Sequence, residues 1–522
     1  MAPPKRGYLG IDNGTQGLSI IFVEESTMNV LAMGEADYGM VPNLETGCYE
    51  QRAEDWESAM KSAMNQLHNQ MTSMEVLAIG ISGQMHGEVL QDATGNVIGS
   101  VRLWCDARNE AEGIELTNLF QHKIPKRMTS ARFLWTIRHQ LERAQQTEHI
   151  TTPAGWMSYR LTGEHTLGIG DASGIFPIDQ ETMTYDKDLI AKFDDLVQTS
   201  SAKKMPSIEG ILPRVCVAGE PAGYLHAEGA RLLGLAEGIP VAPAEGDQPA
   251  ALAGSYIGKA GTVSLSFGTS VCANSVGDRQ FKGVSPLVDQ LCGADGKPIN
   301  MVWLRNGTTF MNTVVASYGG VLPADNTSDQ KSGAFAAVMP QLVEAEADCG
   351  GLLALPFMDD EPGLQVSKGG SAMIMGWNHT NSSPGNVAKA ALLSTCFNLR
   401  KGSAVLDEQG YPRTELVLTG GLAKTPECGQ ILADTFDTPV TLLGSSDEGS
   451  CFGASLMAAF LYKKLNNKLT NNEQDWASFL ESTQKSGSKT RYKPIPENVA
   501  ITNAMYARYN HLLKLVPQLS EI

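Results

Sequence analysis

Twice in this chain an apolar strand runs into a polar glycine turn and returns as a second apolar strand. The first case is "GYLGIDNGTQGLSIIFVEE", with its turn over Asp12 to Gly17. The second is "GTVSLSFGTSVCANSV", with its turn at Phe267-Gly268-Thr269-Ser270. Both turns hold Gly-Thr, and Gly14 and Gly268 lie 254 positions apart in a chain of 522 residues, close to half its length. A hairpin opening each half is the signature of a duplicated architecture, although a Gly-Thr turn is common enough that coincidence stays open.

The rest of the pattern fits two halves. A chain this long exceeds one ordinary core and predicts two domains or lobes. Strands and helices alternate, which predicts an α/β fold. In "EDWESAMKSAMNQLHNQM", Trp56, Met60, Met64, Leu67 and Met71 share one helical face. "VLAIGISGQMHG" reads as a buried strand ending in a loop, and "RFLWTIRHQLE" as a helix. "GIPVAPAEG" reads as a strand leading into the small-residue helix of "GDQPAALAG". In the second half, a long helix is predicted from about Asn386. "TELVLTGGLAKTPECGQILADTF" reads as strand, glycine turn and helix, and "EGSCFGASLMAAFLY" as a further helix. Residues 463 to 490 are polar and read as a surface excursion.

Charge and cysteine content exclude some functions. The formal net charge is −17, which argues against a nucleic-acid surface or an anionic membrane. Nine scattered cysteines without C-x-x-C spacing fit free thiols in a reducing compartment. The nine histidines form no metal-type cluster. With no apolar run long enough for a membrane span and no signal-like start, a cytoplasmic protein is expected.

Three glycine turns follow apolar strands: Asp12-Asn13-Gly14-Thr15, Phe267-Gly268-Thr269-Ser270 and Thr419-Gly420-Gly421-Leu422. Such turns let backbone N–H groups converge on phosphate oxygens. Any one alone reads as a plain turn, whereas three point to a nucleotide site. Neither G-x-x-x-x-G-K-[ST] nor a G-x-G-x-x-G after the first strand is present, so a P-loop or Rossmann site is not supported. Asp12 beside phosphate would need a cation between them, as a Mg²⁺ partner acting through water, or else bonds its own backbone. Asp247, in "GDQPAALAG", is placed either to cap the helix or to take a proton from an attacking hydroxyl, and the pattern leaves both open. His86 in "GISGQMHG" reads as a ligand to a polyol or as a histidine bonding only backbone and water. Asp106 and Arg108 in "RLWCDAR" read as sugar-hydroxyl ligands or as a surface ion pair of little worth.

Taken in order, these segments resemble the FGGY family of carbohydrate kinases, of the actin/sugar kinase/Hsp70 ATPase type. "LGIDNGTQG" and "LSFGTS" look like its two phosphate loops, and "GISGQMHG" and "RLWCDAR" like its sugar-binding segments, followed by "GDASGIFPID". "GDQPAALAG" looks like its base-bearing segment, "LTGGLAKTPECGQILAD" like its adenosine segment, and "YKPIPENVAITNAMYARYNHLL" like its tail. The resemblance implies two RNase H-like lobes around a central cleft. It places sugar, first phosphate loop and catalytic residue in 1–254, and ATP and adenosine binding in 255–522. It implies Asp247 as catalytic base and Met85, His86, Asp106, Asp247 and Gln248 on the sugar. It implies Gly14, Thr15, Gln16, Gly268, Thr269, Gly420, Gly421 and Lys424 on ATP, and Mg²⁺ at Asp12 and Asp247. Gly246 would let substrate approach the backbone. The implied substrate is a ketose, D-xylulose first, with ribulose, another pentulose or sedoheptulose next and glycerol disfavoured by Met85-His86. Gln248 and Cys105 depart from the asparagines usual at those places in the xylulose-directed members. "DDEPG" and the two-glycine turn depart from the family pattern too. A catalytically weak sugar and nucleotide sensor and a protein-directed ATPase are the rival readings. The expected partners are a ketose and ATP, without nucleic acid or membrane, and a homodimer stays open.

Overall fold

The computed structural model describes residues 4–71, 73–200, 205–321, 328–443, 449–484 and 489–519. Two seven-stranded sheets organise it, one in each half of the chain. In the first, strand Lys5–Asn13 pairs antiparallel with Gly17–Glu24, which pairs with Val30–Asp37. On its other side Lys5–Asn13 pairs parallel with Met74–Gly83, and Pro240–Val241 and Glu245–Gly246 follow. In the second sheet, Thr262–Phe267 pairs antiparallel with Val271–Val276, which pairs with Pro298–Leu304. Its other neighbour, Glu415–Gly420, is parallel, and Val440–Leu442 continues beyond it. The two sheets therefore repeat one topology, and both Gly-Thr turns are hairpin connections at corresponding places.

Register decides which residues meet. Asp12 and Asn13 sit opposite Ser82 and Gly83, and Glu245 and Gly246 lie opposite the same two residues on the far side. Three strands therefore end together, with Asp12 near the end of its strand and Gln84 and Asp247 just past the ends of theirs, at the edge where parallel α/β sheets place ligands. In the second sheet Phe267 pairs with Gly420, so the second and third glycine turns emerge side by side.

Helix Ala53–Gln70 forms as its periodicity predicts, with Trp56, Met60, Met64 and Leu67 buried and Met71 just past its end. The long helix of the second half spans Pro384–Glu408, capped by the Ser383 side chain accepting from the Asn386 N–H.

Helix Gly449–Leu465 belongs to the second half of the chain but packs on the first sheet. Its Cys451, Phe452, Leu456 and Phe460 join Tyr8, Ile21, Leu77 and Ala253 in one core. Two glycines permit this approach. A side chain at Gly80 would collide with the backbone carbonyl of Ala454, and one at Gly453 with that of Ala250. The polar stretch from 463 is only partly an excursion. Within it, helix Trp476–Thr483 buries Trp476, Phe479 and Leu480, and Trp476 meets Phe460 at 5.4 Å between rings. Residues 485–488 of that stretch lie outside the described residues.

Candidate active site

The first turn is held rigid by buried polar side chains. The Gln84 amide donates to Gln51 Oε1 at 2.8 Å and to the Gly14 carbonyl at 3.3 Å. Gln51 in turn donates to the Thr15 carbonyl at 2.7 Å. The Tyr38 hydroxyl lies 2.6 Å from the Gly14 carbonyl and 3.0 Å from that of Gly17. The Gln16 carbonyl accepts from the Tyr38 N–H at 3.1 Å, while its side chain is exposed. The Thr15 hydroxyl donates to Gln84 Oε1 and accepts from the half-exposed Trp104 indole at 3.1 Å, tying the turn to the "RLWCDAR" segment. Sequence reasoning missed Gln84, Gln51 and Tyr38. The signal for Gln84 was a carboxamide at the end of an otherwise apolar strand, since such a group is buried only when bonded.

Asp12 accepts from Ser82 Oγ at 2.6 Å, and burial pushes its carboxyl up despite that bond. Asp247 opens helix Asp247–Gly254. The helix N-cap is Gly246, and no side chain caps it, so Asp247 is not used as a cap. Burial, and then repulsion from Asp12, push the Asp247 carboxyl up to about 7. Next to Asp247, the Gln248 carboxamide oxygen accepts from Asn274 at 3.2 Å. The helix start bearing Asp247 is thus tied to the strand that leaves the second turn, while Asp247 itself is repelled by Asp12 of the first. The space beside Gly246 is not open to substrate as expected, because the Met85 side chain fills it.

Near Asp247 stand two acids that are fully buried, Glu245 and Asp171. Glu245 accepts the N–H groups of Gly170 and Asp171 at 3.2 and 2.8 Å, at the start of helix Ile169–Ile175. Asp171 accepts the Thr152 hydroxyl at 2.5 Å, and burial pushes it up to about 8. Asp171 was not singled out from sequence. Only the fold sets "GDASG" beside Asp247.

His86 is buried in the left-handed backbone region at φ 65°, a conformation that a non-glycine residue adopts at a cost and that clusters at functional sites. Its Nδ1 is 3.0 Å from the Gly174 carbonyl. A carbonyl only accepts, so Nδ1 carries the proton and Nε2 is left as an acceptor for a hydroxyl. Burial, aided by Arg127, pushes the ring down to about 3, so it is neutral. Asp106 is fully buried and already satisfied. It accepts from the Tyr49 N–H at 3.0 Å and from Arg108 Nη2 at 2.6 Å, which also binds Glu50 at 2.5 Å. Burial raises its carboxyl, and these bonds outweigh that and leave it below the ordinary range. Asp106 is therefore a buried anchor for the half-buried Arg108.

In the second half, a cavity of about 1020 Å³ brings together Gly268 and Thr269 with Gly421 and Lys424. Phe335, Met339 and Val343 form its apolar wall. A cavity at the large end of the usual range, with an apolar wall and a glycine-rich end, suits a flat heterocycle with a polar tail. Gly420, at φ 75°, makes the reversal out of its strand, where a side chain would crowd the Phe267 carbonyl. The second turn is braced by the Thr308 N–H and hydroxyl, both donating to the Gly268 carbonyl.

Sequence comparison identifies the family. The model of the N-terminal domain of the FGGY family of carbohydrate kinases matches residues 7–254, and that of the C-terminal domain matches 263–462. The chain belongs to the FGGY family of carbohydrate kinases. This kinase is therefore a phosphotransferase that uses ATP to phosphorylate a sugar. It is 24% identical over 471 residues to a xylulose kinase of Haemophilus influenzae, covering 86% of this chain and 90% of that one. It is 27% identical over 463 residues to one of Escherichia coli, covering 86% and 89%. Its fold is shared by the xylulose kinase of Rhodospirillum rubrum, with TM-score 0.80, 20% identity and 98% and 99% of the two chains covered. The glycerol kinase of Plasmodium falciparum with ADP gives 0.78, 17%, 98% and 98%. These establish the two-lobed sugar kinase and actin-like fold. Among the described residues of the kinase, no helix is long and apolar enough to cross a membrane, and no group of three or more His, Cys, Asp or Glu is arranged to hold a metal.

Proposed function

We propose that this kinase transfers the γ-phosphoryl group of ATP to the terminal hydroxyl of D-xylulose, giving D-xylulose 5-phosphate and ADP. The observation that carries the reading is Asp247, half-buried at its strand end and repelled by Asp12, with its neighbour Gln248 accepting from Asn274 on the strand leaving the second Gly-Thr turn. The names of the relatives support the choice of sugar. The lobes divide at 254/255, with helix Gly449–Leu465 lying across that division.

In the proposed reaction, His86 Nε2 accepts from one ketose hydroxyl and orients the sugar. The terminal hydroxyl oxygen attacks the γ-phosphorus, its proton passes to a carboxylate oxygen of Asp247, and the bond from the γ-phosphorus to the ADP oxygen breaks. Gly268, Thr269, Gly421 and Lys424 hold ATP, and the Gly14-Thr15-Gln16 turn meets its phosphates. Asp12 and Asp247 suit Mg²⁺, since two close carboxylates with no cation between them repel, and this ion takes one or two carboxylates with water and phosphate. Bound there, it would neutralise charge on the transferring group. A different ketose is the second reading, favoured by Gln248, which is bonded to Asn274, and by Cys105.

The test is ADP release from ATP and Mg²⁺ with D-xylulose, L-xylulose, D- and L-ribulose, sedoheptulose, glycerol or no sugar. Stimulation by D-xylulose far above the others supports the proposal. Stimulation by another ketose moves the substrate, and a flat panel removes the ketose reading.

A further inference from the structure

One short helix joins the strand end that bears Asp247 to the ring of His86. Helix Ile169–Ile175 follows directly on strand Thr166–Gly168. At its start the Gly168 N–H donates to the Ala244 carbonyl at 2.8 Å. The next residue, Glu245, is buried and takes the N–H of Gly170 on Oε1 and that of Asp171 on Oε2. Asp247 stands two residues further on. At the helix's other end the Gly174 carbonyl lies 3.0 Å from His86 Nδ1. A buried carboxyl group is costly unless it is bonded. Among the described residues no Lys, Arg or His pairs with Glu245, and its side chain is spent on the two helix N–H groups.

The glycines of "GIGDASG", residues 168 to 174, make room for these two partners. A side chain at Gly168 would collide with Glu245 Oε1, and one at Gly170 with Glu245 Oε2. A side chain at Gly174 would press on the His86 ring. Two further bonds dock the helix without Glu245. Thr152, whose side chain caps helix Pro153–Thr162, donates to Asp171 at 2.5 Å, and the Cys292 N–H of the second sheet donates to Ser173 Oγ at 3.0 Å. The helix therefore stays docked when Glu245 is altered, and what Glu245 sets is where it lies against the strand end.

We propose that Glu245 is a positioning residue for the transfer: it fixes helix Ile169–Ile175 against the strand end bearing Asp247 and, through the Gly174 carbonyl, sets the His86 ring, so that ring and carboxylate meet one sugar in a fixed relation. The inference rests on the proposed function, in which His86 holds the ketose and Asp247 takes its proton. Placement matters because a misplacement of about 1 Å in a bound reactant costs on the order of a hundredfold in rate.

The experiment compares Glu245→Gln, Glu245→Ala, His86→Ala and the double variant Glu245→Gln/His86→Ala. KM for the ketose, KM for ATP, kcat and melting temperature are measured, with the ring N–H signal of His86 in isotope-labelled protein, assigned by its absence in His86→Ala. Glutamine keeps the shape but turns one acceptor oxygen into an amide nitrogen, so one of the two helix N–H groups loses its acceptor. Glu245→Gln is expected to raise ketose KM about tenfold, to leave KM for ATP within about twofold of wild type and to shift the His86 signal. Glu245→Ala is expected to lower kcat about a hundredfold, and the glutamine variant to recover part of that loss. In the double variant ketose KM is expected to be no worse than in His86→Ala, because Glu245 reaches the sugar only through that ring. Kinetic constants near wild type in Glu245→Ala, even with a lower melting temperature, overturn the proposal and leave a structural brace. Additive effects on ketose KM in the double variant, or an equal rise in KM for ATP, overturn it too. Should Glu245→Ala not fold, Glu245→Gln decides by the same split. If wild type turns over no ketose, the substrate reading has failed. The His86 signal then still judges the link, and an unshifted signal in Glu245→Gln refutes it.

Discussion

Replacing Asp247 by Asn separates activity from stability. The side chain keeps its size, and the helix start is undisturbed because Gly246, not Asp247, is its N-cap. What is lost is a half-buried carboxylate facing Asp12, pushed up to about 7 from its ordinary 3.8. The difference corresponds to roughly 4 kcal/mol of unfavourable free energy in the ionised form, at 1.36 kcal/mol per pKa unit. The folded value lies above the unfolded one, so the folded state holds a proton that the unfolded state has released between pH 4 and 7. Stability of the wild type therefore falls as pH rises through that window and is level above it. Asp247→Asn escapes this penalty, so its advantage in thermal unfolding should grow from pH 4 to 7 and then stay constant. Up to about 4 kcal/mol is available, less whatever the new amide leaves unbonded. Ketose-dependent ADP release should meanwhile fall by about three orders of magnitude or more, since base and positioning are lost together. Differential scanning calorimetry without Mg²⁺, at pH 5 and pH 8, with the coupled ADP assay, reads both quantities. A variant that is fully active refutes the base. A variant whose melting temperature does not gain on wild type between pH 5 and 8 refutes the electrostatic account of the Asp12–Asp247 pair.

Gly80→Ala should cost several kcal/mol and yield little soluble protein, because the added methyl meets the Ala454 carbonyl; soluble yield and melting temperature close to wild type would show that helix Gly449–Leu465 does not pack there. His86→Ala should change the ketose profile while ATP turnover without sugar stays as it was, and an unaltered profile removes His86 from the sugar site. The ring is neutral, so the wild-type ketose KM should not follow a titration of His86 between pH 6 and 8. Thr269→Ala should raise KM for ATP by about tenfold with ketose KM near wild type, as expected for a lost hydrogen bond to phosphate; a normal KM for ATP counts against the second turn as a phosphate loop.

Local pattern determined much of this molecule. Alternating apolar runs and glycine turns located both hairpins, and the 3.6-residue spacing of Trp56, Met60, Met64 and Leu67 located the first long helix. These are short-range properties, because a strand or helix face is set by neighbours a few residues away. The candidate residues Asp12, His86 and Asp247 were legible for the same reason, each standing at the end of an apolar strand. What sequence left open was what each would touch. Asp247 could equally have capped its helix, and only the fold gives that place to Gly246 and sets Asp12 against the carboxylate. The Asp106–Arg108 pair reads the same in sequence whether exposed or buried, and only tertiary packing buried Asp106. The partners of Gln84, the link from Glu245 to Gly170 and Asp171 and the docking of residues 449–465 on the first sheet each join segments dozens to hundreds of positions apart. No local spacing encodes such contacts. They arise when two sheets and the helices between them close over shared cores, and that closure decides which charges are buried and which residues meet.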